Sequence, residues 1–257
     1  MSDRRLLLNG AASPTTGNFV GNSLRLSIAL LPLALFGRDQ SAPIPPTETI
    51  VRRLTDARDE NRTRLRPYEV LRSYQFSKAE VINKSEVLAA IEFIPPDVET
   101  FRIHKTEGSG FGEKIVRRIL QSENYLLANP KDSDISPQNY RFRFVREENL
   151  KGSPCYVLEI NPLCKDTNLL KGLIWVDVNT YLLHRIEGEP AKDPSWWVHD
   201  IHVVLDFENI HGMLLQNALS STANVRLLGR HTLTARDVEY KVGEIEADVR
   251  SKSRQHE

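Results

Sequence analysis

The sequence predicts a mainly antiparallel α+β fold, a curved sheet of about eleven strands with two helices covering its concave face. Three observations carry this. Segment after segment alternates apolar and polar residues with the period of a half-buried strand. The connections between these segments are short and carry turn residues. Two stretches, one after Thr47 and one over 113–128, repeat apolar residues at helical spacing instead. A twisted sheet with one apolar face must cover it. Two helices of roughly 16 residues, each about 24 Å long, cover only part of so wide a surface. The room they leave is apolar and suits a ligand.

The elements follow in chain order. "APIPP" at 42–46 is a stiff lead-in, and Thr47 is placed to cap the first helix. Ile50, Val51, Leu54 and Ala57 form its apolar stripe, and it ends near Leu65-Arg66-Pro67. A strand over Tyr68–Phe76 comes next. Val87, Ala89, Ile91 and Phe93 then alternate with Leu88, Ala90, Glu92 and Ile94, and a third strand begins at Phe101 and Ile103. Gly-rich "EGSGFGE" at 107–113 leads into the second helix, whose stripe includes Ile115, Val116, Ile119, Leu120 and Leu127. Asn129-Pro130 stops it. Tyr140, Phe142 and Phe144 oppose Arg141 and Arg143, and Tyr156, Leu158 and Ile160 oppose Val157 and Glu159. Leu170–Val178 turns through Asn179-Thr180 into Tyr181–Glu187. Val198–Phe207, Met213–Leu219, Ser221–Leu228 and Leu233–Tyr240 complete the set. The folded domain is therefore expected over 47–245, after a leader at 1–46 and before a polar tail at 246–257.

Composition excludes several classes. With 40% hydrophobic and 26% charged residues in 257, the chain is an ordinary globular one. Lys plus Arg equals Asp plus Glu at 34 each, so no net field draws nucleic acid or a bilayer, and no nucleic-acid motif occurs. Arg52, Arg53, Arg62, Arg64 and Arg66 are interspersed with acids and read as solvated helix surface. In the leader, "LRLSIALLPLALF" at 24–36 is shorter than the ~20 apolar residues that span a bilayer. It matches the apolar core of a secretory signal, with Arg4, Arg5 and Arg25 upstream and small Ala42 near a cleavage point, although Pro32 interrupts it. Export to the periplasm or cell envelope is expected. The two cysteines, Cys155 and Cys164, bracket "YVLEINPL". A turn at Asn161-Pro162 would set Cys164 opposite Glu159 and not Cys155, which disfavours a disulfide.

No catalytic constellation is visible. His199 and His202 lie three apart on a strand and point to opposite faces, so they do not share a metal. Glu187, Glu189 and Asp193 read as loop charge, no G-x-S-x-G occurs, and the glycines at 108, 110 and 112 have neither dinucleotide nor P-loop spacing. The expectation is a non-enzymatic protein without metal or cofactor. The candidate hydrophobic lining comes from the alternating strand faces: Ile91, Phe93, Phe101, Phe142, Phe144, Tyr156, Leu158 and Trp175. In "RIEGEPAKDPSWW" at 185–197, Trp196 and Trp197 begin a strand, one directed inward and one outward, and are candidates for the rim of the cavity.

"NYRFRFVREENLKGSPCYVLEINP" at 139–162 and "LLKGLIWVDVNTYLLHRIEGEPAKDPSWW" at 169–197 resemble bacterial outer-membrane lipoprotein-sorting proteins, relatives of the LolA/LolB and RseB-like fold. The resemblance covers about residues 60–245 and is densest over 139–197. It implies an open antiparallel half-barrel with helices on its concave side, and non-covalent binding of acyl chains. The expected partner is a lipid or an acylated lipoprotein bound by a monomer. An RseB-like sensor that meets an envelope protein is the alternative.

Overall fold

The computed structural model describes residues 43–78, 81–108 and 110–243; the apolar run at 24–36 and the tail at 246–257 lie outside them. Helix α1 (Thr47–Arg64) precedes strands β1 (Tyr68–Lys78), β2 (Val81–Ile94) and β3 (Val98–Glu107). Helix α2 (Gly110–Ala128) follows. Then come β4 (Tyr140–Leu150), β5 (Ser153–Pro162), β6 (Leu170–Asp177), β7 (Leu183–Pro190), β8 (Val198–Ile210), β9 (Met213–Val225) and β10 (Gly229–Val242). These form one antiparallel sheet in the order β3-β2-β1-β10-β9-β8-β7-β6-β5-β4. β3 and β4 are its two edges and do not pair with each other, so the half-barrel is open. The chain leaves one edge at β3 and resumes at the other with β4. The connection must therefore cross the covered face, and α2, about 28 Å long, spans much of that distance.

One row of paired positions shows which face is covered. Phe144 pairs with Leu158, Leu158 with Ile174, Ile174 with Ile186, and Ile186 with Leu205. The row continues through Leu219, Ala235 and Tyr74 to Val87. Every member is apolar or aromatic, as burial of one sheet face requires. α1 packs Ile50, Val51 and Leu54 on the β4–β7 half, around Tyr156, Leu158, Ile160 and Ile174. α2 packs Val116 and Leu120 on the β1–β2 half, around Val70, Tyr74, Val87 and Ile91. Asn61 pins α1 across the sheet: its Nδ2 donates to the Leu214 carbonyl at 3.0 Å, and the Leu214 amide donates to its Oδ1 at 2.7 Å.

Four details depart from the sequence expectation. The described sheet has ten strands, because Met213–Leu219 and Ser221–Leu228 are one strand up to Val225. No Gly or Pro separates them, and Ser220 and Ser221 pair in register with both Thr234-Leu233 and Val204-Val203. Thr47 is the first helical residue and not a side-chain cap; the Pro46 carbonyl accepts from Thr49 and Ile50 instead. β5 runs through Asn161 to Pro162 without turning there. Cys155 and Cys164 are both free, the first buried within β5 and the second exposed beyond its end. Trp175 lies on the opposite face from Leu158, packed with Cys155 and Val157 under the Arg185 guanidinium, 5.9 Å from its ring. Its neighbours Ile174 and Val176 take the helix-covered side, as strand alternation demands.

Candidate ligand cavity

The two helices do not meet over the middle of the sheet, and a cavity of about 870 Å³ lies there. That size falls within the roughly 300–1,000 Å³ of small-molecule sites. Its apolar wall comes from Leu54 and Leu65 of the α1 region, Leu126 and Leu127 of α2, and Leu183, Ile186, Phe207 and Leu214 of the sheet. Apart from buried Leu54 and Ile186, these side chains are only half-buried, so apolar surface faces open space.

The opposite wall is polar. β1 places Tyr68, Val70, Arg72 and Tyr74 on the covered face, and Arg72 interrupts that apolar row. Its guanidinium holds Asp237 of β10 through both Nε and Nη2 and donates from Nη1 to Glu123 of α2 at 3.3 Å. The Asp237 side chain is 1% exposed and that of Arg72 12%. Tyr240 also donates its hydroxyl to Asp237. Burial works against the charge on Arg72, but Glu123 and Asp237 outweigh it and hold its pKa above the ordinary value. Burial pushes the Glu123 carboxyl upward. Glu99, at the start of β3, is pushed up to about 7, first by burial and then by neighbouring Glu123. Its Oε1 is buried with no hydrogen-bond partner. A third, more solvated group lies on the α1 side, where Arg58 pairs with Asp134 and Arg62 stands 3.6 Å from the same carboxylate.

Glu99 gives the fold a pH dependence with a definite sign. Its folded pKa of about 7 lies above the ordinary 4.5, so between those values the folded chain keeps a proton that the unfolded chain has released. Stability therefore falls as pH rises through this window, by on the order of 3 kcal/mol for a shift of this size. Glu99→Gln is expected to flatten most of that decline in urea unfolding followed from pH 5 to pH 8. A decline as steep as that of the wild type would show that Glu99 is not its source.

The predicted lining residues are placed elsewhere. Ile91, Phe93 and Phe101 pack beneath or beside α2, with the Phe93 ring 5.2 Å from that of Tyr68. Tyr156 and Leu158 are closed core under α1, and Phe144 packs against them. Phe142 borders a separate cavity of about 420 Å³ beside Val51, Thr55 and Pro137. None of the eight borders the larger cavity: Trp175 lies on the opposite face, Phe142 at the smaller cavity, and the others pack in the core on the helix-covered face. The sequence carries one signal for the larger cavity. In "YEVLRSYQF" an arginine occupies an inward position between Val70 and Tyr74, and a charge on an apolar face is more informative than another apolar residue there.

Trp196 and Trp197 do not form the cavity rim. Ser195 bridges to Val198, so both indoles sit in a tight turn ahead of β8 and both are exposed. Nine residues of β8, roughly 30 Å, separate Trp197 from Phe207 at the cavity. His199 and His202 have different partners, Asp200 at 2.9 Å and Glu187 at 3.3 Å. Among the described residues no group of three potential metal ligands gathers, and no helix is long and apolar enough to cross a membrane.

No family model matches this sequence, and no curated protein matches it. Solved structures do align with it. A DUF1329 family protein from Desulfovibrio piger aligns over 78% of this chain and 95% of its own, at 10% identity and a TM-score of 0.40. An outer membrane lipoprotein-sorting protein domain from Vibrio parahaemolyticus covers 74% and 92%, at 11% identity and a TM-score of 0.38. A LolA superfamily protein from Nitrosomonas europaea covers 78% and 95%, at 11% identity and a TM-score of 0.37.

Proposed function

We propose that this protein is a non-catalytic carrier of the cell envelope, holding an acyl chain or similar lipid in the cavity between α1 and α2. The observation that carries this reading is the cavity itself: about 870 Å³ left open against half-buried Leu65, Leu127, Phe207 and Leu214. Burying a chain there gains about 0.8 kcal/mol per CH₂, so a lipid of ordinary length binds without any covalent step. The polar wall at Arg72, Glu99 and Glu123 offers hydrogen-bonding groups to a lipid's polar end. The signal-like run at 24–36 supports export. A sensor or protein-interaction role is the second reading, favoured by β3 and β4, which are edges with no further strand among the described residues and whose backbone groups can extend into a partner's strand.

Native mass spectrometry of gently purified protein separates the two. Co-purified lipid that denaturation releases supports the carrier, and a bound protein supports the sensor. Leu127→Glu with Phe207→Glu is expected to lower uptake of a fluorescent fatty acid at least about tenfold, since each charge must be desolvated against the chain. Circular dichroism checks that the variant remains folded. Undiminished uptake by that variant, or no uptake by the wild type, rejects the cavity as the lipid site.

A further inference from the structure

At the end of the sheet remote from the cavity, two turns form a single apolar tip. The first, at 195–198, carries Trp196 and Trp197, 64% and 44% exposed with ring centroids 3.9 Å apart. The second joins β9 to β10 and carries Leu227 and Leu228, 94% and 48% exposed. The turns are clasped together. The Arg226 amide donates to the Trp197 carbonyl at 2.9 Å, Val198 pairs with Val225, and the Arg226 guanidinium lies 5.3 Å over the Trp196 ring. Leu227 holds a left-handed backbone with φ of 67°, unusual for leucine, and its side chain is almost wholly exposed.

We infer that this tip is a membrane-docking surface, which sets Trp196 and Trp197 at the headgroup level of an anionic bilayer and Leu227 and Leu228 deeper. Two adjoining indoles beside a guanidinium are suited to that boundary, where one side of the contact is apolar and the other wet. The tip is a protrusion of four side chains, far fewer than the ~20–30 residues a side that a stable protein interface uses, whereas an interfacial anchor needs only a few. Local charge agrees. Over 192–200 and 224–231 three cations, Lys192, Arg226 and Arg230, outnumber two carboxylates, Asp193 and Asp200, a local excess of one positive charge. A chain with formal net charge zero is thus drawn to an anionic surface, and oriented on it, by this end. The inference goes beyond the carrier reading and stands whether or not the cavity holds lipid.

The third tryptophan, Trp175, is 4% exposed, so changes in emission report Trp196 and Trp197. The full chain is mixed with vesicles of phosphatidylethanolamine and phosphatidylglycerol, and separately with vesicles of phosphatidylcholine. The expected result is a blue shift and quenching by brominated lipid, both stronger on the anionic vesicles. Leu227→Ser with Leu228→Ser is expected to weaken vesicle binding roughly tenfold with both reporters still present. Arg226→Glu with Arg230→Glu is expected to remove the anionic preference. Emission unchanged by vesicles overturns the inference. So does vesicle attachment without quenching, which would place the contact on another part of the chain, or a blue shift that follows protein concentration without lipid, which would mark self-association.

Discussion

Arg72→Leu is expected to destabilise the fold by about 3–5 kcal/mol, the range for removing one partner of a buried ion pair. The arginine is one guanidinium serving two carboxylates, and the Asp237 side chain beneath it is 1% exposed. Without Arg72, Asp237 keeps the Tyr240 hydroxyl but loses its countercharge, and Glu123 loses its cationic partner as well. Leucine fits the apolar row between Val70 and Tyr74, so the cost is electrostatic and not steric. That can be checked directly. Asp237→Asn with Glu123→Gln in the Arg72→Leu background is expected to recover much of the loss in urea unfolding. If the triple variant is as unstable as Arg72→Leu alone, the cost lies in packing and the electrostatic account fails.

Gly188→Val is expected to cost on the order of 4 kcal/mol or more, in the range where a named steric cause is required. Gly172 of β6 and Gly188 of β7 are directly paired, and the two backbones approach closely there. A Cβ on Gly188 would stand 2.3 Å from the Lys171 carbonyl oxygen, and one on Gly172 would stand 2.1 Å from that of Glu187. Both obstacles are backbone, so relief requires β6 and β7 to separate, in the half of the sheet that α1 covers. Gly110, the first residue of α2, makes the contrast: a Cβ there meets nothing within 4 Å. Gly110→Ala is therefore expected to shift stability by less than about 1 kcal/mol, by lowering unfolded-state entropy. Thermal unfolding of the two variants side by side tests the distinction. Equal stabilities would show that the β6–β7 approach is not tight.

Much of the fold was legible because it is local. Val87, Ala89, Ile91 and Phe93 all stand on the covered face, as their spacing demands, and α1 buries Ile50, Val51 and Leu54 as its stripe requires. Separating the two segments on either side of Ser220 is an error of punctuation: polar serines without Gly or Pro continue a strand when both neighbours pair with it. Trp175 takes the face away from the helices, and an apolar residue on a strand does not say which face it occupies until its register against Ile174 and Leu158 is known. For Trp196 and Trp197, extended geometry was assumed where Pro194 and Ser195 instead precede a turn.

By itself, the sequence determined which segments are strands and helices, which residues alternate toward one face, and that two helices are too little to cover such a sheet. Those properties follow from periodicities of two and 3.6 residues, which neighbouring side chains express without reference to the rest of the chain. The tertiary structure alone decided where the uncovered space falls. That depends on α2 crossing from the β3 edge toward the β4 edge, and on Asn61 pinning α1 to β9 some 150 residues away in sequence. A cavity is the place where packed elements fail to meet, and no single segment encodes that failure.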